Sequence, residues 1–137
     1  MQRHSRKANT TLRRLWLLSG WLLVLVIIYL SLTPRPISVP VSEGDKIGHA
    51  VAYAVLMLWF AQLYFGTKSR IAVAAASAAL GIALEFAQLL TDARTFSTAD
   101  MLADGFGVLL GWVAAPPRTV NFLSWMENAW SKNTRRP

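Results

Sequence analysis

Four apolar blocks constrain this chain more than any other feature. Leu15 to Leu32 is apolar except for Ser19, Gly20 and Ser31. Ile47 to Phe65 is a second block, and Ile71 to Leu90 a third with Glu85 and Gln88 near its end. Thr98 to Ala115 is the fourth, polar at its start and stopped by Pro116 and Pro117. A membrane span needs about 17–25 mostly apolar residues to cross about 30 Å of hydrocarbon. The expected fold is therefore all-α: an integral membrane bundle of four transmembrane helices at about 15–32, 47–65, 71–90 and 98–115. Residues 1–14 read as a basic cytoplasmic N-terminus, 15–115 as the membrane domain and 116–137 as a cytoplasmic amphipathic tail.

Composition removes other classes. The chain is 54% hydrophobic and 15% charged, against about 25% charged in a soluble domain. That excludes a disordered chain. With no cysteine, a disulfide scaffold, a thiol nucleophile and a zinc–thiolate site are excluded too. The net charge of +7 reads as a topology signal, because the basic residues gather in short loops. Arg3, Arg6, Lys7, Arg13 and Arg14 precede the first block; Lys68 and Arg70 lie between the second and third. Arg118, Lys132, Arg135 and Arg136 follow the fourth, while Arg35, Lys46 and Arg94 fall on the opposite side. Both termini are expected in the cytoplasm, and no nucleic-acid partner is expected. The basic leader is read as preceding a retained anchor, since the apolar stretch outruns a usual signal core.

The connections fit this layout. Thr33 to Gly44 holds Pro34, Pro36 and Pro40 and should run extended. Gly66 to Arg70 reads as a tight helical hairpin. Phe122, Trp125, Met126, Ala129 and Trp130 recur at helical spacing, as in a short interfacial helix with Trp anchors.

The polar residues of the spans are clustered. Asp45, Lys46, His49 and Tyr53 open the second block; Asp45, His49 and Tyr53 are four apart and share a stripe. Glu85 and Gln88 lie near the outer end of the third, Arg94 in the outer loop, and Asp100 and Asp104 at the outer start of the fourth. All should face one external layer. Each has a plainer role. Ser42 to Asp45 and Ser97 to Asp100 fit capping boxes, so both aspartates can serve helix N-termini. Lys46 can be a solvated interface residue, and Tyr53 an ordinary bundle aromatic. Glu85, about one turn inside the membrane, needs a partner or a proton. Arg94 or His49 is its expected partner, and a polar clasp between helices is its structural role. Ala103, Gly107, Gly111 and Ala115, and likewise Ala75, Ala79, Ala83 and Ala87, recur every four residues. Such ladders let backbones approach closely and predict contact between helices three and four. Gly105 and Gly107 are not a phosphate loop, because no strand precedes them.

These residues carry a resemblance. Asp45-Lys46-Ile47-Gly48-His49-Ala50-Val51-Ala52-Tyr53, then Glu85-Phe86-Ala87-Gln88, then Arg94, then Asp100-Met101-Leu102-Ala103-Asp104-Gly105-Phe106-Gly107 and Gly111 resemble the VanZ-like family of small bacterial membrane proteins. The match covers about residues 43–113. Asp104 stands where that family usually has Asn. The resemblance implies a multi-pass protein of the bacterial cytoplasmic (inner) membrane with an envelope-related role. A link to glycopeptide (teicoplanin) resistance is implied by the family's name alone.

Three functions compete. In the first, a cell-envelope accessory or binding protein uses the outer polar cluster to bind a lipid headgroup, an envelope precursor or a partner membrane protein. In the second, an intramembrane enzyme uses His49 as general base or metal ligand, with the carboxylates as further ligands or acids. In the third, the chain is a structural assembly subunit, and its small-residue ladders also suit an oligomer. No cofactor and no metal is expected from motif spacing: there is neither His-x-x-x-His nor Glu-x-x-His. A transporter is disfavoured by four short helices without duplicated halves.

Overall fold

The structure, a computed structural model, describes residues 2–34, 44–91 and 95–133, with side chains from Thr10 to Lys132 within them. Among these residues there are five helices and no strand: α1 (Gln2–Leu32), α2 (Gly44–Ala61), α3 (Thr67–Gln88), α4 (Thr98–Ala114) and α5 (Phe122–Asn133). The all-helical expectation holds. Two segments are long and apolar enough to cross a membrane, Thr10–Leu32 and Thr67–Gln88. The other two expected spans are shorter, at 18 residues for α2 and 17 for α4, or about 26–27 Å. Their first turns also carry Asp45, Lys46, His49, Asp100 and Asp104.

The outer surface is that of a membrane protein. Leu18, Leu22, Leu25, Leu102 and Leu109 each expose more than half of their surface. In water such a continuous apolar exterior would far exceed the patch a soluble monomer presents. The interior is built from Ile27, Tyr53, Leu56, Met57, Leu84 and Val108, which draw α1, α2, α3 and α4 together.

The closest helix pair is α2 with α4. A Cβ on Gly107 would overlap the Ala50 carbonyl, and one on Gly111 would lie 2.5 Å from the Ala54 oxygen. Only hydrogen fits at these two positions, so the glycines let the backbones touch. The expected contact between α3 and α4 is present, with Gly81 against Asp104, but the ladders are not what makes it. The α4 ladder faces α2 rather than α3, and Ala75, Ala79 and Ala83 of α3 point outward. The buried stripe of α3 is instead Ser77, Gly81, Leu84, Glu85 and Gln88.

Helix ends also differ from the apolar limits, for reasons visible in their hydrogen bonds. The helix α1 continues back through the basic leader to Gln2. The apolar run of the second block reaches Phe65, but α2 stops at Ala61. The next carbonyls have partners elsewhere. Asn121 Nδ2 donates to Gln62, Arg13 Nη2 to Leu63 and Arg70 Nε to Tyr64. These side chains satisfy groups a helix end leaves orphaned. The helix α3 starts at Thr67, four residues before its apolar block, so residues 67–70 are helical and the turn falls at 62–66. At the same end, Trp16 and Trp59 stack with centroids 4.2 Å apart, and each indole donates to the other's carbonyl. Asn121 caps α5 by accepting the Ser124 N–H. Phe122, Trp125 and Trp130 of α5 are exposed, while Leu123 is buried.

The glycine contacts yield a matched test. Gly107→Ala should lower the melting temperature in mild detergent, by about 1–3 kcal/mol of overpacking. Gly105→Ala, where the added methyl meets open space, should be neutral or stabilising, since Ala is the better helix former by about 1 kcal/mol. Equal melting of the two variants would contradict backbone contact at Gly107.

Candidate functional site

A polar centre lies where α2 and α4 begin and α3 ends. The close approach of α2 and α4 sets His49 beside two aspartates one turn apart. His49 Nδ1 is 2.9 Å from Asp104 Oδ1, and His49 Nε2 is 3.7 Å from Asp100 Oδ2. From α3, Glu85 Oε2 accepts the Ser97 N–H at 2.8 Å. Glu85 is 1% exposed and Asp104 3%.

The start of α4 shows how the centre is assembled. Ser97 is its N-cap, and Ser97 Oγ accepts the Asp100 N–H at 3.2 Å. In a complete capping box the Asp100 carboxylate would accept the Ser97 N–H in return. Glu85 takes that N–H instead. The Asp100 carboxylate is thereby left to face His49. One cap thus ties α3 to α4 and directs an acid into the centre.

Among the described residues, several buried atoms in this region lack a hydrogen-bond partner: Glu85 Oε1, Asp100 Oδ1 and the Tyr53 hydroxyl. Tyr53 is 2% exposed, with its ring in the core. One ligand atom each from His49, Glu85 and Asp100 lie within 4.8 Å of one another, a spacing that could hold a metal ion. No sequence motif signals this set, because its members come from three helices.

The nine residues expected to form the outer cluster separate. His49, Glu85, Asp100 and Asp104 come together, with Tyr53 reaching the same region. Asp45 and Lys46 stay at the exposed rim and pair with each other at 3.7 Å. Gln88 faces α1, where its Nε2 donates to the Ser31 carbonyl. Arg94 lies outside the described residues, as does the expected Glu85–Arg94 pair. Among the described residues His49 pairs with Asp100 and Asp104, and the expected pair with Glu85 is not formed. Two contributors escape sequence reasoning. Ser97 reads only as a cap, yet it holds Glu85. Gly81 gives Asp104 room, since a Cβ there would lie 2.5 Å from Asp104 Oδ2. Its one signal is a glycine interrupting an Ala-rich helix.

An apolar cavity of about 570 Å³ opens between α1, α2 and α3, lined by Trp21, Leu56, Phe60, Tyr64, Val73 and Leu80 among others. No carboxylate, histidine or basic side chain lines it, so it is separate from the polar centre.

Fold and site together define a helical membrane protein with a buried His–carboxylate centre at one end of its bundle. The chain belongs to the VanZ/LLP1 family, whose model matches residues 8–121. No curated protein and no solved structure matches it.

The Glu85 contacts predict opposite results for two substitutions, read as melting temperature in metal-free mild detergent. Glu85→Gln keeps an acceptor for Ser97 and removes a buried charge, so it should melt at or above wild type. Glu85→Leu orphans the Ser97 N–H and should lose about 1–3 kcal/mol. A Gln variant melting far below wild type would make Glu85 a structural ion-pair partner.

Proposed function

We propose that this VanZ-family protein is a cell-envelope accessory protein of the bacterial cytoplasmic membrane that binds an envelope ligand at its His49-centred cluster. The supporting observation is the pair of unpartnered buried carboxylate oxygens, Glu85 Oε1 and Asp100 Oδ1, beside His49. A clasp that only held helices together would satisfy its own atoms. A lipid headgroup, a lipid-linked envelope precursor or a partner membrane protein is the ligand class, and Lys46 at the rim suits an anionic group. Altered susceptibility to a glycopeptide such as teicoplanin is one readout of such a role.

In this reading α1 to α4 all cross the membrane, with both termini cytoplasmic and the centre on the outer side. The α5 helix lies along the inner interface, with its exposed Trp125 and Trp130 as anchors. The absence of native cysteine makes single-cysteine labelling clean. Phe96→Cys should react with an impermeant maleimide in intact spheroplasts. Lys68→Cys and Lys132→Cys should react only after the membrane is opened. The opposite pattern would invert the topology.

Photo-crosslinking from position 96 in native membranes tests the binding role. A discrete lipid, precursor or protein adduct is expected, and it should weaken at least several-fold in His49→Ala. Recovery of nothing above background, or an adduct indifferent to His49, would overturn the binding role.

A second reading is favoured by one contact, the 2.9 Å His49–Asp104 pair. Such a pair orients an imidazole as a base. An intramembrane enzyme acting on a lipid-linked substrate would then leave a changed product rather than an intact adduct.

A further inference from the structure

We propose that His49 Nε2, Glu85 and Asp100 form the binding site of one divalent cation, with Asp104 as the positioning residue that holds the imidazole. This rests on reading the centre as a ligand site and names what occupies it first.

Four observations carry it. The first is spacing. The 3.7 Å between His49 Nε2 and Asp100 Oδ2 is too long for a hydrogen bond. It is close to the separation of two ligands on one ion, about 3.0–3.6 Å for bonds of about 2.1 Å. The third residue, Glu85, offers a carboxylate oxygen within 4.8 Å of a ring nitrogen of His49 and of a carboxylate oxygen of Asp100.

The second is the tautomer. Asp104 Oδ1, at 2.9 Å, accepts the proton of His49 Nδ1. In the neutral ring the lone pair then lies on Nε2, on the side of Asp100. A metal-bound histidine characteristically gives its other ring N–H to a carboxylate, which fixes the ring and makes it a better ligand.

The third is independent of both. Glu85 is 1% exposed, and its Oε1 has no hydrogen-bond partner among the described residues. The same holds for Asp100 Oδ1. A buried carboxylate oxygen near hydrocarbon carries a large desolvation cost unless a cation or donor meets it.

The fourth is charge balance. Three carboxylates surround one imidazole, and among the described residues none of the three pairs with a lysine or arginine. An anion would find little attraction there, whereas a dication offsets the excess. One imidazole with carboxylates is a nitrogen and oxygen donor set, suited to Zn²⁺, Mn²⁺ or Co²⁺. Three protein ligands leave at least one coordination position open for water or an envelope ligand.

The test uses untagged full-length protein in mild detergent, stripped with chelator and titrated with Co²⁺. Wild type should bind one equivalent saturably, gain the visible absorption of coordinated Co²⁺ and melt several degrees higher. His49→Gln and Asp100→Asn should lose the absorption. Asp104→Asn, which keeps an acceptor for Nδ1, should retain the stoichiometry with affinity reduced about 10–100-fold. His4→Ala, at the only other histidine, should bind as wild type. Folded wild type that binds no Co²⁺ saturably overturns the site, whatever the variants do. Binding unchanged in both His49→Gln and Asp100→Asn overturns it equally. Wild type that crosslinks an envelope ligand but binds no cation defeats the cation alone. Wild type that binds the cation but crosslinks nothing defeats the envelope reading alone.

Discussion

Backbone contact between α2 and α4 is the constraint on which the rest depends. Gly107 and Gly111 bring α4 against the Ala50 and Ala54 carbonyls of α2. At that separation His49, one residue before Ala50, meets Asp104, three residues before Gly107. Side chains larger than hydrogen at the two glycines would part the helices and break the 2.9 Å pair. The packing ladder and the polar centre are thus one device, with the glycines setting the distance and the first turns of both helices supplying the chemistry. The third helix joins through another small residue. Gly81 admits Asp104, and one turn later Glu85 reaches across to the start of α4.

The two ends of the bundle treat polar groups differently. Near the α2–α3 loop, carbonyls 62, 63 and 64 each accept from a side chain, and the two indoles serve each other's backbones. Gln62 also accepts the Phe122 N–H through its side chain. At that end these carbonyls are satisfied within the chain, as buried backbone near hydrocarbon requires. At the other end, two carboxylate oxygens and a phenol are buried without hydrogen-bond partners among the described residues. The same sequence that satisfies Tyr64 with Arg70 leaves Glu85 Oε1 open. Three of the four unpartnered buried side-chain atoms among the described residues thus lie near His49, the fourth being Glu127 Oε1 on α5.

Much of this was legible in the residues. Hydropathy blocks located α2, α3 and α4 to within about four residues but missed the extension of α1 back to Gln2, and the stripe of Asp45, His49 and Tyr53 with the pair Asp100 and Asp104 marked one end. What escaped was decided by partners far along the chain. An apolar run cannot tell that Asn121 and Arg13 will take the carbonyls that end α2. A ladder of alanines on α3 looks like the ladder on α4, yet Ala75, Ala79 and Ala83 face outward while Gly107 and Gly111 face in. The difference is that glycine permits backbone contact and alanine does not. The capping box at Ser97 was readable, but the takeover of its N–H by Glu85 was not, because nothing local couples residue 85 to residue 97. Nor does local spacing unite three ligand residues from three helices.

The aspartate at position 104 is best understood by comparison with an Asn at the same place. Either side chain can accept the His49 Nδ1 proton with the same geometry. Only Asp adds a negative charge to the imidazole's far side, strengthening its Nε2 as a donor to a cation. That charge is nearly buried, at 3% exposure, and is held against a glycine on α3. For stability alone, the neutral amide would be the better residue, since it makes the bond without the desolvation cost of a carboxylate. A chain that carries Asp here accepts that cost at the residue best placed to orient His49.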